Sequence, residues 1–294
     1  MKNTLRFALI CSLFVVTLAR IDRFFFTHNH HFSTHFLFSN LKPDPTWELS
    51  PQTEDLDPIL SQAFHYLGKG NRCIAYLSED RNYVIKFHRF PTHMRIFSWI
   101  THPLSDYRKK RQKIKTLDTQ KLKYNFQSYK DSFDHLKKET GLLYLHLNPT
   151  STLHRTVTLI DASHARHRIP LDQVTFIVQH KAELIYPTLD RCITENKMED
   201  AKAVISNILD LILSTCKKGY IHNDPVLHQN YGLLPDRAIY IDIGDLIKRE
   251  GIEKPENYIP YIKEMTQGLR HYLKNKPDLL AHYLDKVTLD KTNK

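Results

Sequence analysis

Cysteine is scarce in this chain, and its spacing excludes two kinds of protein. The 294 residues contain four cysteines, which lie far apart and form no C-x-x-C pair: Cys11, Cys73, Cys192 and Cys216. Zinc modules and disulfide-rich secreted domains need closely spaced cysteines. We therefore expect reduced and mostly buried thiols.

Several catalytic signatures are missing as well. The sequence has no G-x-S-x-G, which marks many serine hydrolases, and no H-E-x-x-H, which marks zinc proteases. No loop ends in G-K-[ST], so a Walker A phosphate loop is excluded. Hydrolases and metalloenzymes of these kinds therefore have no support in the sequence.

The N-terminal apolar run is short of the about 20 residues that a membrane-spanning helix needs. It has 13 residues, from Phe7 to Ala19, and basic residues flank it on both sides. Residues 1–20 are thus predicted to be a signal peptide or a short membrane anchor, with a buried N-terminal helix as the alternative.

Residues 21–57 are predicted to be a linker, mobile around its histidines and extended from Leu41 onwards. Histidines and phenylalanines alternate irregularly at its start, and prolines follow from Leu41 to Pro58. A metal site is the alternative for the histidines, although no carboxylate or thiol nearby completes one. The four histidines are His28, His30, His31 and His35.

Positive charge is concentrated in one region. The formal net charge is +10, and residues 81–130 alone carry 13 Lys and Arg against two Asp, a local balance of +11. Six of these charges lie between Arg108 and Lys115. They fit a solvated helix face, contact with anionic lipid, or a phosphorylated or nucleic-acid partner. No aromatic and basic RNA-binding signature is present, so nucleic acid is unlikely as the partner.

The stretch from Lys217 to Ile247 contains the candidate catalytic motifs of the sequence. Apolar residues at helical spacing predict a helix from Ala201 to Lys217, and Gly219 ends it. A loop with His222, Asn223 and Asp224 follows. Two short apolar runs, 231–234 and 238–241, then predict a hairpin, which Asp242-Ile243-Gly244 closes.

This order of helix, H-x-D loop, Asn, hairpin and D-x-G resembles the catalytic core of the protein-kinase-like superfamily, which includes protein kinases, aminoglycoside phosphotransferases and choline kinases. The resemblance implies that Asp224 is catalytic and accepts or orients the acceptor hydroxyl, while Asn230 and Asp242 bind Mg²⁺ on the nucleotide phosphates. One spacing differs: Asn230 comes six residues after Asp224 instead of five. An extra residue must therefore bulge, or the metal site is altered.

The earlier part of the chain continues the resemblance. Strand-like runs at 64–67, 73–77 and 83–87 surround Gly68 and Gly70, which stand where a kinase has its glycine-rich loop. Cys73 occupies the third glycine position. The resemblance implies that Lys86 of V-I-K contacts the α- and β-phosphates and takes part in catalysis. We nominate Glu139, on a helix predicted over 129–147, as the partner of Lys86 in the nucleotide site.

The resemblance implies an α+β chain with a two-lobed protein-kinase-like fold. The N-lobe, 58–182, would hold a five-stranded antiparallel sheet completed by strands at 156–161 and 174–179, with a basic insertion at 88–128. Residues 179–182 would form the hinge that binds adenine. The C-lobe, 183–294, is short and lacks A-P-E.

The function that the resemblance implies is an ATP- and Mg²⁺-dependent phosphotransferase acting on a hydroxyl of a small molecule or protein. The alternative is an inactive pseudokinase that serves as a membrane-associated binding module. An N-terminal anchor with the kinase domain in the cytoplasm fits the need for ATP, and export through the N-terminal signal is the alternative.

Overall fold

The structure is a computed structural model that describes residues 34–39, 41–50, 52, 55–90 and 104–289, with single positions between Phe7 and Phe24. At 35, within 104–118, and at 289, it describes the backbone alone. The predicted leader and the linker up to residue 33 lie outside the described residues, apart from those positions. In the part of the chain that is described, no helix has both the length and the apolar character needed to cross a membrane.

One large mixed sheet dominates the first part of the chain. Its strands are β1 (Ala63–Lys69), β2 (Cys73–Ser78), β3 (Tyr83–His88), β4 (Leu142–His146), β5 (Thr156–Ile160), β6 (Arg166–Pro170) and β7 (Phe176–His180). Their order is β4-β7-β3-β2-β1-β5-β6. The β1–β5 pair is parallel and the other neighbouring pairs are antiparallel.

The predicted α+β class is confirmed, but the predicted five-stranded antiparallel sheet is wrong. The sheet has seven strands, because β4 and β6 add an edge on each side. Burial along these two strands follows no regular alternation. Their sequences therefore lack the period of two that identifies a half-buried strand.

The first hydrophobic core lies against this sheet. Along β2, Ile74, Tyr76 and Ser78 are buried in alternation, which is the pattern of a strand with one face on a core. Leu37 and Leu56, from the predicted linker, are buried in the same core. These two residues of the predicted linker are thus packed against the sheet.

A long helix connects β3 to β4. After the short helix α1 (Asp57–Leu60), the chain forms α2 (Leu104–His135) and a single turn, α3 (Lys137–Thr140). The predicted helix over 129–147 is therefore wrong beyond α3, where β4 follows. Gly141 ends the turn with φ +59°, and a Cβ at this position would lie 2.9 Å from Ile239 Cδ1. Glycine is favoured by both the conformation and the close approach.

The second part of the chain is mainly helical. It contains α4 (Ile185–Thr194), α5 (Met198–Lys217), α6 (Leu227–Asn230), α7 (Pro255–Met265), α8 (Gln267–Tyr272) and α9 (Pro277–Leu289). The helix predicted at 201–217 is confirmed as α5, whose buried face includes Ile205, Ile208 and Ile212. The chain leaves this helix at Gly219, which has φ +84°.

Short strands position the loops between these helices. They are β8 (Glu183–Leu184), β9 (Tyr220–His222), β10 (Tyr231–Leu233), β11 (Ala238–Tyr240) and β12 (Leu246–Lys248). The β10–β11 pair confirms the predicted hairpin, and β8 adds to its open edge. The antiparallel pair of β9 and β12 places His222 opposite Leu246. Both ends of the segment from His222 to Leu246 are thereby brought together.

Candidate functional site

A cleft of about 690 Å³ lies between the loop after β1 and the loops after β9 and β11. Six residues singled out from the sequence line it: Gly68, Gly70, Lys86, Asp224, Asn230 and Asp242. These residues come from distant parts of the chain. The cleft is therefore a site that the fold assembles, and the local sequence alone does not create it.

The charges on the two sides of the cleft are opposite. We call Lys69, Arg72, Lys86 and Arg89 the cationic wall, and Asp224, Asp242 and Asp245 the anionic wall. The cationic wall comes from the end of β1 and the loop after it, and from β3 and the residue that follows β3. The anionic wall follows β9 and β11. Such a pairing suits a ligand that carries negative charge and is accompanied by a cation.

A buried histidine links the two loops of the anionic wall. His222 has no exposed surface, and its Nε2 lies 3.0 Å from the carbonyl oxygen of Asp242. Its Nδ1 lies 3.2 Å from the backbone nitrogen of Asp224 and 3.0 Å from the carbonyl oxygen of Asp224. With Nε2 as the donor, Nδ1 can accept the Asp224 N–H in a neutral ring. The imidazole thus fixes the distance between Asp224 and Asp242.

The extra residue after Asp224 is taken up by one helical turn. Helix α6 spans Leu227–Asn230, so Asn230 is buried while Gln229 is exposed beside it in the cleft. Asn230 Nδ2 donates to the carbonyl oxygen of Asp224 at 3.3 Å. Since the amide nitrogen is used in this way, the amide oxygen is left for another partner.

Asp242 is held by its own turn and remains accessible. Its Oδ1 accepts the backbone N–H of Gly244 at 2.9 Å, and its side chain is 45% exposed. Ser128 of helix α2 supports the same turn: its hydroxyl donates to Ile243 O at 2.6 Å and accepts from Leu246 N at 2.8 Å. The long helix is therefore tied to the segment that presents Asp242.

Lys86 reaches the anionic wall through the backbone. Its ammonium group donates to the carbonyl oxygen of Ile241, the residue before Asp242. Burial lowers the pKa of Lys86, and the nearby Asp242 carboxylate opposes that effect in part. Lys86 is thus close to the proposed metal-binding aspartate but has no carboxylate within ion-pair distance among the described residues.

Glu139 does not pair with Lys86, which corrects the partner expected from the sequence. Its carboxylate is buried and binds Lys218 Nζ at 2.8 Å and Ser214 Oγ at 2.6 Å. The reason is that α2 ends at His135 and the following turn, α3, packs against helix α5. Tyr129 of α2 lines the cleft instead, and its hydroxyl lies 3.4 Å from both Cys73 Sγ and His88 Nδ1.

In both the glycine loop and the expected hinge, backbone N–H groups are hydrogen-bonded within the protein. The N–H of Gly70 donates to Cys73 O at 2.9 Å. Burial raises the pKa of the Cys73 thiol to about 11, so this cysteine is a weak nucleophile. At the hinge, His180 N donates to Gly141 O and Lys181 N to Asn82 O. These two N–H groups are therefore not available to an adenine ring in this conformation.

The donor set of the anionic wall fits Mg²⁺. Asp242 offers an exposed carboxylate oxygen, and Asn230 offers an amide oxygen, as its nitrogen is already bonded. Mg²⁺ prefers oxygen ligands and is commonly held by one or two carboxylates together with substrate phosphates. Among the described residues there is no group of three or more His, Cys, Asp or Glu that could hold a metal ion by itself. Phosphate oxygens would have to complete the coordination.

Comparisons with known proteins give only distant likenesses. No protein-family model matches the chain, and no curated protein matches its sequence. Three solved structures of WbdD, a bifunctional kinase-methyltransferase, are similar to it, one of them a complex with the kinase inhibitor LY294002. Identity is 13%, the TM-scores are 0.35, 0.35 and 0.37, and the matches cover 75–78% of this chain. The chain spans less than half of WbdD, 45–47%.

Proposed function

We propose that this chain is an ATP- and Mg²⁺-dependent phosphotransferase with a two-lobed protein-kinase-like fold, in which residues 58–182 and 183–294 form the lobes. One observation carries the proposal: Lys86, Asp224, Asn230 and Asp242 line one cleft with opposite charges on its two sides. Phosphoryl transfer needs positioning and charge stabilisation more than covalent chemistry from the protein. A cleft of this composition can provide both.

Each residue has a defined part in the proposed reaction. Asp224 orients the acceptor hydroxyl and takes its proton while the hydroxyl oxygen bonds to the γ-phosphorus and the bond to the β-phosphate oxygen breaks. Asp242 and Asn230 would hold Mg²⁺, which when bound neutralises charge on the phosphate oxygens. Lys86 binds the α- and β-phosphates, and His222 keeps Asp224 and Asp242 at a fixed separation.

Nucleotide-induced stabilisation tests this proposal. Mg·ATP at about 100 times its dissociation constant should stabilise the fold by about 2.7 kcal/mol. Asp242→Asn should lose most of the part that depends on Mg²⁺, and Asp285→Asn, an exposed substitution on α9, should keep the wild-type shift. Thermal melts with and without Mg²⁺ measure this effect. A wild-type protein with no shift under saturating nucleotide would contradict the proposal.

A pseudokinase is the second candidate, and two contacts favour it. Lys86 donates to a backbone carbonyl, and Glu139 pairs with Lys218 instead. A protein of this kind would keep the nucleotide site without turnover. Nucleotide binding together with an absence of phosphate transfer over a broad panel of hydroxyl acceptors would decide for it.

The location that we propose is a membrane surface, with the phosphotransferase domain on the cytoplasmic side where ATP is present. The apolar run at residues 7–19 and the basic residues 108–115 support this placement. A short apolar anchor binds membranes reversibly, and a polybasic segment is the kind of second signal that makes such binding stable.

A further inference from the structure

Arg72 lies in the loop between β1 and β2 and reaches across the cleft to the anionic wall. Its Nη1 and Nη2 donate to Asp245 Oδ2 and Oδ1 at 2.6 and 2.9 Å. Nη1 also lies 3.9 Å from Asp242 Oδ2. Within the described part of the chain, no other side-chain ion pair joins the two walls. A bidentate arginine–carboxylate pair fixes the guanidinium in both position and orientation.

The fold leaves room for this arginine. A Cβ at position 244 would lie 2.7 Å from Arg72 Nη1, so any other residue at this position would displace the guanidinium. Asp245 is itself well held: its carboxylate is 12% exposed, and its carbonyl oxygen accepts the N–H of Asn223 at 2.8 Å. The guanidinium is therefore seated by residues of the loop after β11, and Asn223 of the loop after β9 supports that loop.

In the loop that carries Arg72, one backbone N–H that could bind phosphate is already hydrogen-bonded within the protein. The N–H of Gly70 is bonded to Cys73 O, and Arg89 ties the loop to the end of β3. Arg89 Nη1 donates a hydrogen bond to Gly70 O at 3.1 Å, and Arg89 N donates one to Arg72 O at 2.8 Å. Glycine-rich loops bind phosphate through free backbone N–H groups. In this loop a side-chain donor can take the place of the Gly70 N–H.

Arg72 has the donors and the place to do so. A guanidinium carries five N–H groups, and Asp245 engages two of them. In the proposed reaction the transferred phosphoryl group must lie near both Asp224 and Asp242. Lys86 is held deeper, on the carbonyl oxygen of Ile241, while Arg72 stands beside the Asp242 carboxylate.

We propose that Arg72 binds the γ-phosphate of the nucleotide, that Asp245 is its positioning residue, and that this pair makes the site selective for a nucleoside triphosphate over a diphosphate. The inference rests on the proposed function, because it assumes that the cleft takes a nucleotide. It assigns the discrimination between the two nucleotides to a side chain outside the motifs that suggested the site.

Affinities for ATP and ADP, measured by calorimetry with Mg²⁺ on the full chain, test the assignment. Arg72→Gln should lower the ratio of the ADP to the ATP dissociation constant about 10–100-fold, the usual cost of losing a hydrogen bond to a charged group. Its affinity for ADP should stay close to that of the wild type. Asp245→Asn should lower the ratio in the same direction. Arg168→Gln, an exposed arginine on β6, is the matched control and should keep the wild-type ratio.

Other outcomes would overturn one idea or both. A wild-type protein that binds neither nucleotide overturns the proposed function, and this inference with it. Wild-type binding of ATP with an unchanged ratio in Arg72→Gln overturns the inference alone. Tighter binding of both nucleotides by Arg72→Gln, again at an unchanged ratio, would show that the ion pair only closes the cleft. A wild-type ratio in Asp245→Asn would remove the positioning role of Asp245.

Discussion

The two walls of the cleft differ in what holds them in place. Asp224 and Asp242 of the anionic wall are positioned by hydrogen bonds between their backbones and the buried His222, and Asp242 also by the turn that Ser128 supports. The cationic wall is positioned in large part by charge: Arg72 is held by a carboxylate of the opposite wall, across the cleft. Hydrogen bonds within the fold therefore fix Asp224 and Asp242. A negatively charged ligand, in contrast, would compete with Asp245 for Arg72 of the cationic wall.

The largest effect should come from the carboxylate that touches the acceptor. Asp224→Asn keeps the size of the side chain but removes its ability to take a proton. Turnover should fall by about 10²–10⁴, the usual contribution of general acid–base help. Nucleotide affinity should change little, because His222 holds the loop through the Asp224 backbone.

The matched control for this substitution is Asp236→Asn, in the exposed turn between β10 and β11. It should leave both turnover and affinity unchanged. Steady-state kinetics and nucleotide titrations on the two variants separate the effects. Wild-type turnover in Asp224→Asn would remove the assigned role of this residue.

An acid-sensitive group adjoins the cationic wall: His88, a buried histidine near Arg72 and Arg89. Burial, with smaller contributions from Arg72 and Arg89, lowers the pKa of His88 from 6.5 to about 4. The folded protein thus binds this proton less tightly than the unfolded chain. The contribution of His88 to stability is complete above pH 6.5 and is lost as the pH falls from about 6.5 to about 4. Its size is on the order of 3 kcal/mol.

Urea melts at several pH values measure this dependence. His88→Gln should make the free energy of unfolding less dependent on pH between about 6.5 and about 4 than it is in the wild type. Parallel curves for the two proteins across this window would mean that His88 does not titrate as described.

The support of the anionic wall can be weakened without touching a charge. Ser128→Ala would leave the buried N–H of Leu246 and the carbonyl of Ile243 without their partner hydroxyl. An unsatisfied buried polar group costs about 1–3 kcal/mol, so the free energy of unfolding should fall by that amount. The turn that presents Asp242 should loosen, which would weaken Mg²⁺-dependent nucleotide binding as well.

Ser132→Ala provides the matched control one helical turn away. The Ser132 hydroxyl is also buried, but it donates only to the Ser128 carbonyl of its own helix. Its removal should cost less and should leave nucleotide binding unchanged. Equal losses in the two variants, by denaturant melts and titrations, would show that Ser128 has no special link to the cleft.

The smallest effect on either wall is expected from the basic cluster, which should act at a membrane and not in the cleft. Arg108, Lys109, Lys110 and Arg111 lie on α2, where the structure describes the backbone only. With residues 1–33 removed, so that the buried Leu37 is kept, the chain should sediment with anionic vesicles at low salt and release at high salt, because the Debye length falls from about 10 Å at 0.1 M to about 3 Å at 1 M.

Replacing these four residues by Gln should abolish vesicle binding and leave nucleotide affinity as in the wild type. Each basic residue near an anionic surface contributes about 1 kcal/mol. Equal sedimentation of the parent and the four-Gln variant would return the cluster to the role of a solvated helix face.

Much of the anionic wall could be predicted from the sequence, because its residues follow one another between Gly219 and Asp245. Apolar spacing gave the helix and the hairpin, and these two elements fix where the intervening polar residues lie. The one-residue departure in spacing was visible as well, and helix α6 accounts for it. The strands β1, β2 and β3 were predictable for the same reason, since each has a short apolar run between turns.

The residues that depend on long-range contacts could not be predicted. Glu139 was nominated from a helical pattern that continues past Gly141, where the chain turns into β4. Arg72 meets a carboxylate 173 residues away, and Ser128 meets a carbonyl 115 residues away. No local signal distinguishes such an arginine or serine from an ordinary surface residue. Only the fold shows which of them reach the cleft.

The order of the large sheet has a consequence for the time course of synthesis. Strand β3 pairs with β7, and about 90 residues separate them in the chain. At about 5–20 residues per second, β3 waits for about 5–20 seconds on the ribosome with one edge unpaired. That edge belongs to a strand rich in apolar residues, Val84, Ile85 and Phe87, and an open apolar edge is a template for aggregation. Chaperone dependence during translation should therefore be concentrated in the interval before Phe176–His180 emerges.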